Sequence, residues 1–132
     1  PQETSKNDAR GVGSVNFSQA ELKQEIARIN NTLNITMYGA GLRKQRVVLV
    51  DDGTILILAD NKRIPALAAL DIKDRGTTRT VDLALLDEFK LKLKTELTQQ
   101  LKLPVKCVVK DYQPEHELAV TVIILSDDSR IG

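Results

Sequence analysis

The clearest hydrophobic pattern in the chain is a pair of apolar segments on either side of Asp52 and Gly53, within residues 46–59. An Asp-Gly pair supplies the positive φ angles that a two-residue hairpin loop needs, so the pattern predicts two antiparallel strands. With Asp51 opposite Thr54, the side chains alternate between two faces. The first predicted face carries Val48, Val50, Ile55 and Ile57, and the second carries Val47, Leu49, Leu56 and Leu58.

Neither predicted face of this hairpin is polar, although a small antiparallel sheet ordinarily leaves one face in water. The segment 118–125 repeats the pattern. One of its faces carries Leu118, Val120, Val122 and Ile124, and the other carries Ala119, Thr121, Ile123 and Leu125. We therefore expect both sides of the sheet to be covered. A short middle helix or the N-terminal tail could cover the second side from within the chain, and a protein partner could cover it from outside.

Helical periodicity predicts a long helix before the first hairpin. Ser18 and Glu21 have the spacing of a capping box, and Gly39 ends the segment. Between them runs an apolar stripe that consists of Leu22, Ile26, Ile29 and Leu33. The stripe predicts that one side of this helix packs on the sheet.

The second half of the chain predicts a helix from Asp82 to about Leu101, followed by strands over 105–112 and 118–125. Pro65 suits the first turn of a short extra helix between the halves. The predicted fold is therefore α+β, a two-layer sandwich in the order αββ-αββ. Its four-stranded antiparallel sheet carries the two long helices on one face.

The folded domain is predicted over residues 17–126, between a polar N-terminal tail, residues 1–16, and a C-terminal tail, residues 127–132. The chain begins at Pro1 and its single methionine is Met37, so we expect the original start to be missing. A cytoplasmic location is slightly favoured, with export or processing left open.

Composition narrows the classes of function. The 132 residues carry a net charge of +1 and 3% aromatic residues, which disfavours a strong basic field and stacking platforms for nucleic acid. A single cysteine, Cys107, and a single histidine, His116, exclude an intrachain disulfide and a histidine-cysteine metal cluster. No apolar run approaches the roughly twenty residues that span a bilayer.

No catalytic constellation is predicted. His116 lies between Glu115 and Glu117 in a turn, where a solvated side chain is favoured over a general base. Cys107 lies in a strand pattern, and no second histidine-bearing motif is present to activate it. We therefore expect no enzymatic activity, no cofactor and no metal.

Two basic segments support an anionic partner as the alternative function. Arg43, Lys44 and Arg46 follow two glycines, whose backbone amides could approach a phosphate. Arg75 and Arg79 lie in a charged loop predicted over residues 71–80, just before the second long helix. Nucleic acid or a phosphorylated ligand would bind these loops in a regulatory domain.

The favoured prediction is a non-enzymatic interaction or assembly module. It self-associates or docks into a larger complex through an apolar sheet face, because exposed apolar patches of this size are rarely left bare. A protein is therefore the expected partner, and nucleic acid is less favoured. The predicted interface residues are Val47, Leu49, Leu56, Leu58 and Leu91.

Overall fold

The computed structural model describes residues 17–126, so the predicted tails lie outside the described residues. Three helices and four strands follow in the order α1 (Gln19–Tyr38), β1 (Lys44–Asp51), β2 (Thr54–Asp60), α2 (Pro65–Asp71), α3 (Arg75–Leu101), β3 (Val105–Gln113) and β4 (Leu118–Leu125). The strands form one antiparallel sheet in the order β1-β2-β4-β3. The predicted α+β fold is confirmed, including the short middle helix that begins at Pro65.

The ends of α1 follow the predicted capping signals. Ser18 Oγ accepts a hydrogen bond from the Glu21 amide at 3.1 Å, and the Ser18 amide donates to Glu21 Oε1 at 2.9 Å. Gly39 closes the helix with φ of 80°, a left-handed conformation that glycine adopts without a Cβ clash. These two caps fix the length of the helix and therefore the part of the sheet that it covers.

The prediction of a charged loop over residues 71–80 is wrong, because α3 begins at Arg75. Asp74 is its N-cap and accepts a hydrogen bond from the Thr77 amide at 3.1 Å. The expected start at Asp82 lies about two turns inside the helix. A good cap upstream outweighs the polar composition of the first turns, and Arg75 and Arg79 are therefore helical residues.

The hydrophobic core lies between the two long helices and one face of the sheet, which we call the helix face. Both helices contribute residues at helical spacing, and the sheet contributes alternate residues of its strands. The members with the least exposure include Ile26, Ile29, Ile55, Ile57, Phe89, Leu93, Leu97 and Ile123. Each such side chain contributes about 1.5–3 kcal/mol on burial, so the core accounts for the orientation of both helices.

The predicted register of the first hairpin is wrong by one residue along β1. A bulge at Val50, between Leu49 and Asp51, places Leu49 opposite Ile55 and Val47 opposite Ile57. An extra residue on one strand of an antiparallel pair shifts all later pairs, and the side chains then exchange faces. Val47 and Leu49 consequently lie on the helix face and pack against the core.

None of the helices within residues 17–126 has both the length and the apolar character that a membrane crossing requires.

Candidate interaction surface

The second face of the sheet, which we call the open face, carries no helix of residues 17–126. The long helices pack on the helix face, and α2 contacts only α3. A continuous apolar row crosses all four strands of the open face, because each residue in it is paired with the next. The row consists of Val48, Leu56, Val122 and Val109.

Neighbouring rows extend this apolar area. Leu58 pairs with Val120 on one side of the row, and Ile124 pairs with Cys107 on the other. Val109 is 58% exposed, and the residues of the two central strands are half-buried by one another. A patch of this kind is a candidate interaction surface, since its side chains do not contribute to the helix-covered core.

Two opposite charges lie at the edges of the open face. Arg46 on β1 pairs with Leu58, which pairs with Val120, which pairs with Asp111 on β3. The two charged residues therefore belong to one cross-strand row, at opposite edges of the sheet. Both are exposed, and Asp111 accepts a hydrogen bond from Gln113 Nε2 at 2.9 Å.

The structure divides the predicted interface residues between three places. Leu56 and Leu58 lie on the open face, as predicted, whereas the bulge turns Val47 and Leu49 to the helix face. Leu91 is 65% exposed but belongs to α3, in the other layer of the sandwich. The hydrophobic pattern does not place Val48 and Val109 in the interface, and it gives no signal of the bulge at Val50, because the turn itself keeps the expected pair Asp51–Thr54.

The predicted anion-binding residues do not form one site. Arg43 Nη2 contacts Asp60 Oδ1 at 2.6 Å and Glu117 Oε1 at 2.9 Å. Arg75 Nη1 contacts Asp82 Oδ2 at 3.0 Å. The three remaining predicted residues lie in different elements, with Lys44 and Arg46 on β1 and Arg79 on α3. Arg79 lines a cleft of about 170 Å³. Carboxylates thus already neutralise Arg43 and Arg75.

A buried arginine organises the charges around the β2–α2 connection. The side chain of Arg63 is 7% exposed and contacts Asp71 at 2.8 Å and Asp82 at 2.7 Å. Its hydrogen bonds hold the pKa of Asp71 at about 2. Its guanidinium also lies over the Tyr112 ring, 5.8 Å from the centroid. These contacts tie α2 and α3 to the sheet.

The sequence analysis missed Lys110, which lies on the helix face of β3 and is 7% exposed. Its Nζ lies 3.2 Å from the centroid of the Phe89 ring. No carboxylate among residues 17–126 contacts this Nζ within ion-pair distance. Burial lowers the pKa of Lys110 to about 7, because desolvation disfavours the ammonium.

The two residues weighed for catalysis are both exposed: Cys107 on the open face and His116 in the β3–β4 turn. Within residues 17–126, no three histidine, cysteine or acidic side chains are grouped so that they could hold a metal ion. Comparisons of the chain with protein-family models, curated proteins and solved structures find no match. Function is therefore inferred from the geometry of these residues alone.

Proposed function

We propose that the chain is an assembly module that forms a homodimer through the open face. This proposal is supported by the apolar row that crosses all four strands and by the neighbouring row, which has Arg46 and Asp111 at its opposite ends. An interface between two identical copies must be self-complementary under a two-fold rotation. The charges of the Arg46–Asp111 row satisfy that condition for one direction of the axis.

A two-fold axis parallel to the strands, between two stacked open faces, exchanges the edges of the sheet. It superposes β1 on the partner's β3 and β2 on the partner's β4, and it keeps each row in register. Arg46 then faces the partner's Asp111, and Val48 faces the partner's Val109. An axis perpendicular to the strands would bring Arg46 over apolar residues at the other end of the partner's β1, which is unfavourable.

The size of the open face is consistent with a weak but specific dimer. Four strands about 4.8 Å apart and seven residues of about 3.4 Å each give a patch of roughly 20 Å by 24 Å. Because side chains project from this flat patch, its solvent-accessible area is larger than the patch itself and approaches the roughly 800 Å² per partner of a standard interface. We expect a dissociation constant on the order of micromolar, at the lower end of stable association.

Sedimentation equilibrium of the full chain and of two lysine variants tests this function. Val109→Lys places an ammonium at the β3 edge of the apolar row, opposite the partner's Val48, and the two-fold axis repeats it on the other side. Desolvation of the two ammonium groups should raise the dissociation constant about 100-fold. Val109 is 58% exposed, so the fold tolerates the change. Leu91→Lys is the matched control, because Leu91 is 65% exposed in the helix layer. The control should dimerise like the unsubstituted chain.

A charge exchange tests the direction of the axis. Arg46→Asp and Asp111→Arg each create two like-charge contacts across the interface and should raise the dissociation constant about 10-fold. The double variant restores opposite charges and should return to within about 3-fold of the unsubstituted chain. A full chain that remains monomeric at about 1 mM refutes the dimer, and a double variant as weak as the sum of the singles refutes this axis.

A further inference from the structure

Lys110 is a polar exception inside the core. It projects from β3 toward α3 beside its cross-strand partner Thr121 on β4, and it is 7% exposed. Phe89, which is fully buried, forms the surface beneath its Nζ, at 3.2 Å from centroid to nitrogen. Burial of this amine without a carboxylate costs free energy of folding, which the cation–π contact with Phe89 offsets only in part, so the position is a candidate functional site.

The charged and titratable groups near this amine come from every element around it. They line a common cavity and comprise Tyr38 from α1, Lys62 and Arg63 from the β2–α2 connection, Asp82 from α3, and Tyr112 from β3. Asp82 is the only carboxylate among them, and Arg63 and Arg75 both bind it. The lysine therefore lies beside a neutralised cluster rather than beside a counter-charge.

Arg63, which lines the cavity, retains hydrogen-bonding capacity. A guanidinium has five N–H donors, and the bonds from Arg63 to Asp71 and Asp82 use four of them. One N–H of Nη1 has no acceptor among the described residues. The cavity is thus lined by an amine whose pKa is lowered by burial and by a permanent cation with one spare N–H.

The cavity is small, with a volume of about 30 Å³. About 10–15 Å³ is needed for one water molecule, so this space holds roughly two waters or one molecule of three heavy atoms. Lys62, one of its lining residues, is exposed, which gives the cavity a route to solvent.

We propose that Lys110 Nζ binds carbon dioxide covalently as a carbamate in this cavity. The amine lone pair attacks the carbon of carbon dioxide and an N–C bond forms, while the electron pair of one C=O π bond moves to its oxygen, which becomes the anionic oxygen of the carbamate. One amine proton leaves to solvent, so a neutral amine and carbon dioxide give a carbamate anion and H⁺. The spare N–H of Arg63 and the ammonium of Lys62 are the groups that stabilise the new anion.

The surroundings favour this reaction over reactions at the exposed lysines. The nucleophile is the neutral amine, and burial holds the pKa of Lys110 at about 7. About half of Lys110 is thus neutral at pH 7, whereas a solvated lysine with pKa of about 10.4 is almost wholly protonated. Conversion to an anion also replaces a buried cation with a group that the neighbouring guanidinium can bind.

Carbon-13 NMR of the full chain with labelled bicarbonate tests the proposal. A carbamate carbonyl signal should be present at pH 8 and should be lost in Lys110→Arg, because a guanidinium has no neutral amine to form the adduct. Lys106→Arg is the matched control, because Lys106 is an exposed lysine on the same strand. This variant should keep the signal.

Ethylation of the adduct with a trialkyloxonium reagent, followed by peptide mass analysis of the unsubstituted chain, gives the position directly. This measurement does not depend on the folding of any variant. The result expected is an ethyl carbamate on Lys110. An unsubstituted chain without a modified Lys110 at saturating carbon dioxide, or a signal that persists unchanged in Lys110→Arg, overturns the proposal.

Discussion

Replacing Lys110 by Met should remove a pH dependence of stability that the buried amine imposes on the fold. Methionine has nearly the same length and flexibility, so it fills the space beside Phe89 without a charge. The lysine is 7% exposed and has no carboxylate within ion-pair distance among residues 17–126. The substitution therefore isolates the free energy of desolvating the ammonium.

The magnitude follows from the change in pKa. Burial lowers the pKa of Lys110 from 10.5 to about 7, which corresponds to about 5 kcal/mol against the charged form. Between these values the unfolded chain binds one more proton than the folded chain. Stability therefore rises with pH, by up to about 1.4 kcal/mol per unit, or about 2 kcal/mol from pH 7 to pH 9.

Urea denaturation at pH 7, 8 and 9 in carbon-dioxide-free buffer measures this slope. The range stops at pH 9 because burial raises the pKa of Tyr38 and of Tyr112 to about 12. Those phenols keep protons that the unfolded chain loses above about pH 10, so they lower stability there. Lys110→Met should be more stable at pH 7 and flat with pH, while Lys106→Met should keep the slope. Equal slopes in both variants would refute the reasoning.

Two further predictions concern the ion cluster and the bulge. Arg63→Met removes the hydrogen bonds that hold the pKa of Asp71 at about 2, so NMR titration should show that this pKa rises toward 3.8. Urea denaturation should show a loss of about 2 kcal/mol in the free energy of unfolding. An Asp71 pKa that is unchanged in the variant would contradict this prediction. Deletion of Val50, which is 54% exposed in the bulge, should leave Leu49 opposite Ile55 and change stability by less than about 1 kcal/mol. Cross-strand NOEs check the pairing, and a shifted register would show that the bulge sets it.

The fold could be predicted from the sequence because its signals are local and agree with one another. The capping box at Ser18, Gly39 at the end of α1, and Pro65 at the start of α2 each specify one helix end. The start of α3 was missed because Asp74 caps a segment whose composition is that of a loop. A cap decides where a helix begins, whereas composition only shows which side meets water.

The candidate sites depended on pairing between distant residues, which periodicity does not reveal. One bulged residue places Val47 and Leu49 against the core, so only Leu56 and Leu58 of the five predicted interface residues lie on the open face. Arg46 and Asp111 share a row only because β2 and β4 are neighbours in the sheet. That strand order was not part of the sequence prediction.

The two proposals arise from the same edge strand, at adjacent residues that point in opposite directions. A two-layer sandwich needs apolar residues on the helix face and tolerates polar residues on the other, yet β3 carries Lys110 inward and Val109 outward. Each choice is unfavourable for an isolated monomer, since one buries an amine and the other exposes a hydrophobic side chain. Departures from the pattern that stabilises a fold are expected at functional positions. A partner that covers Val109 would remove the second of these penalties, and a carbamate on Lys110 would replace the unpaired buried amine with an anion that Arg63 can bind. Because the two side chains lie on opposite faces, the variants of one do not disturb the other.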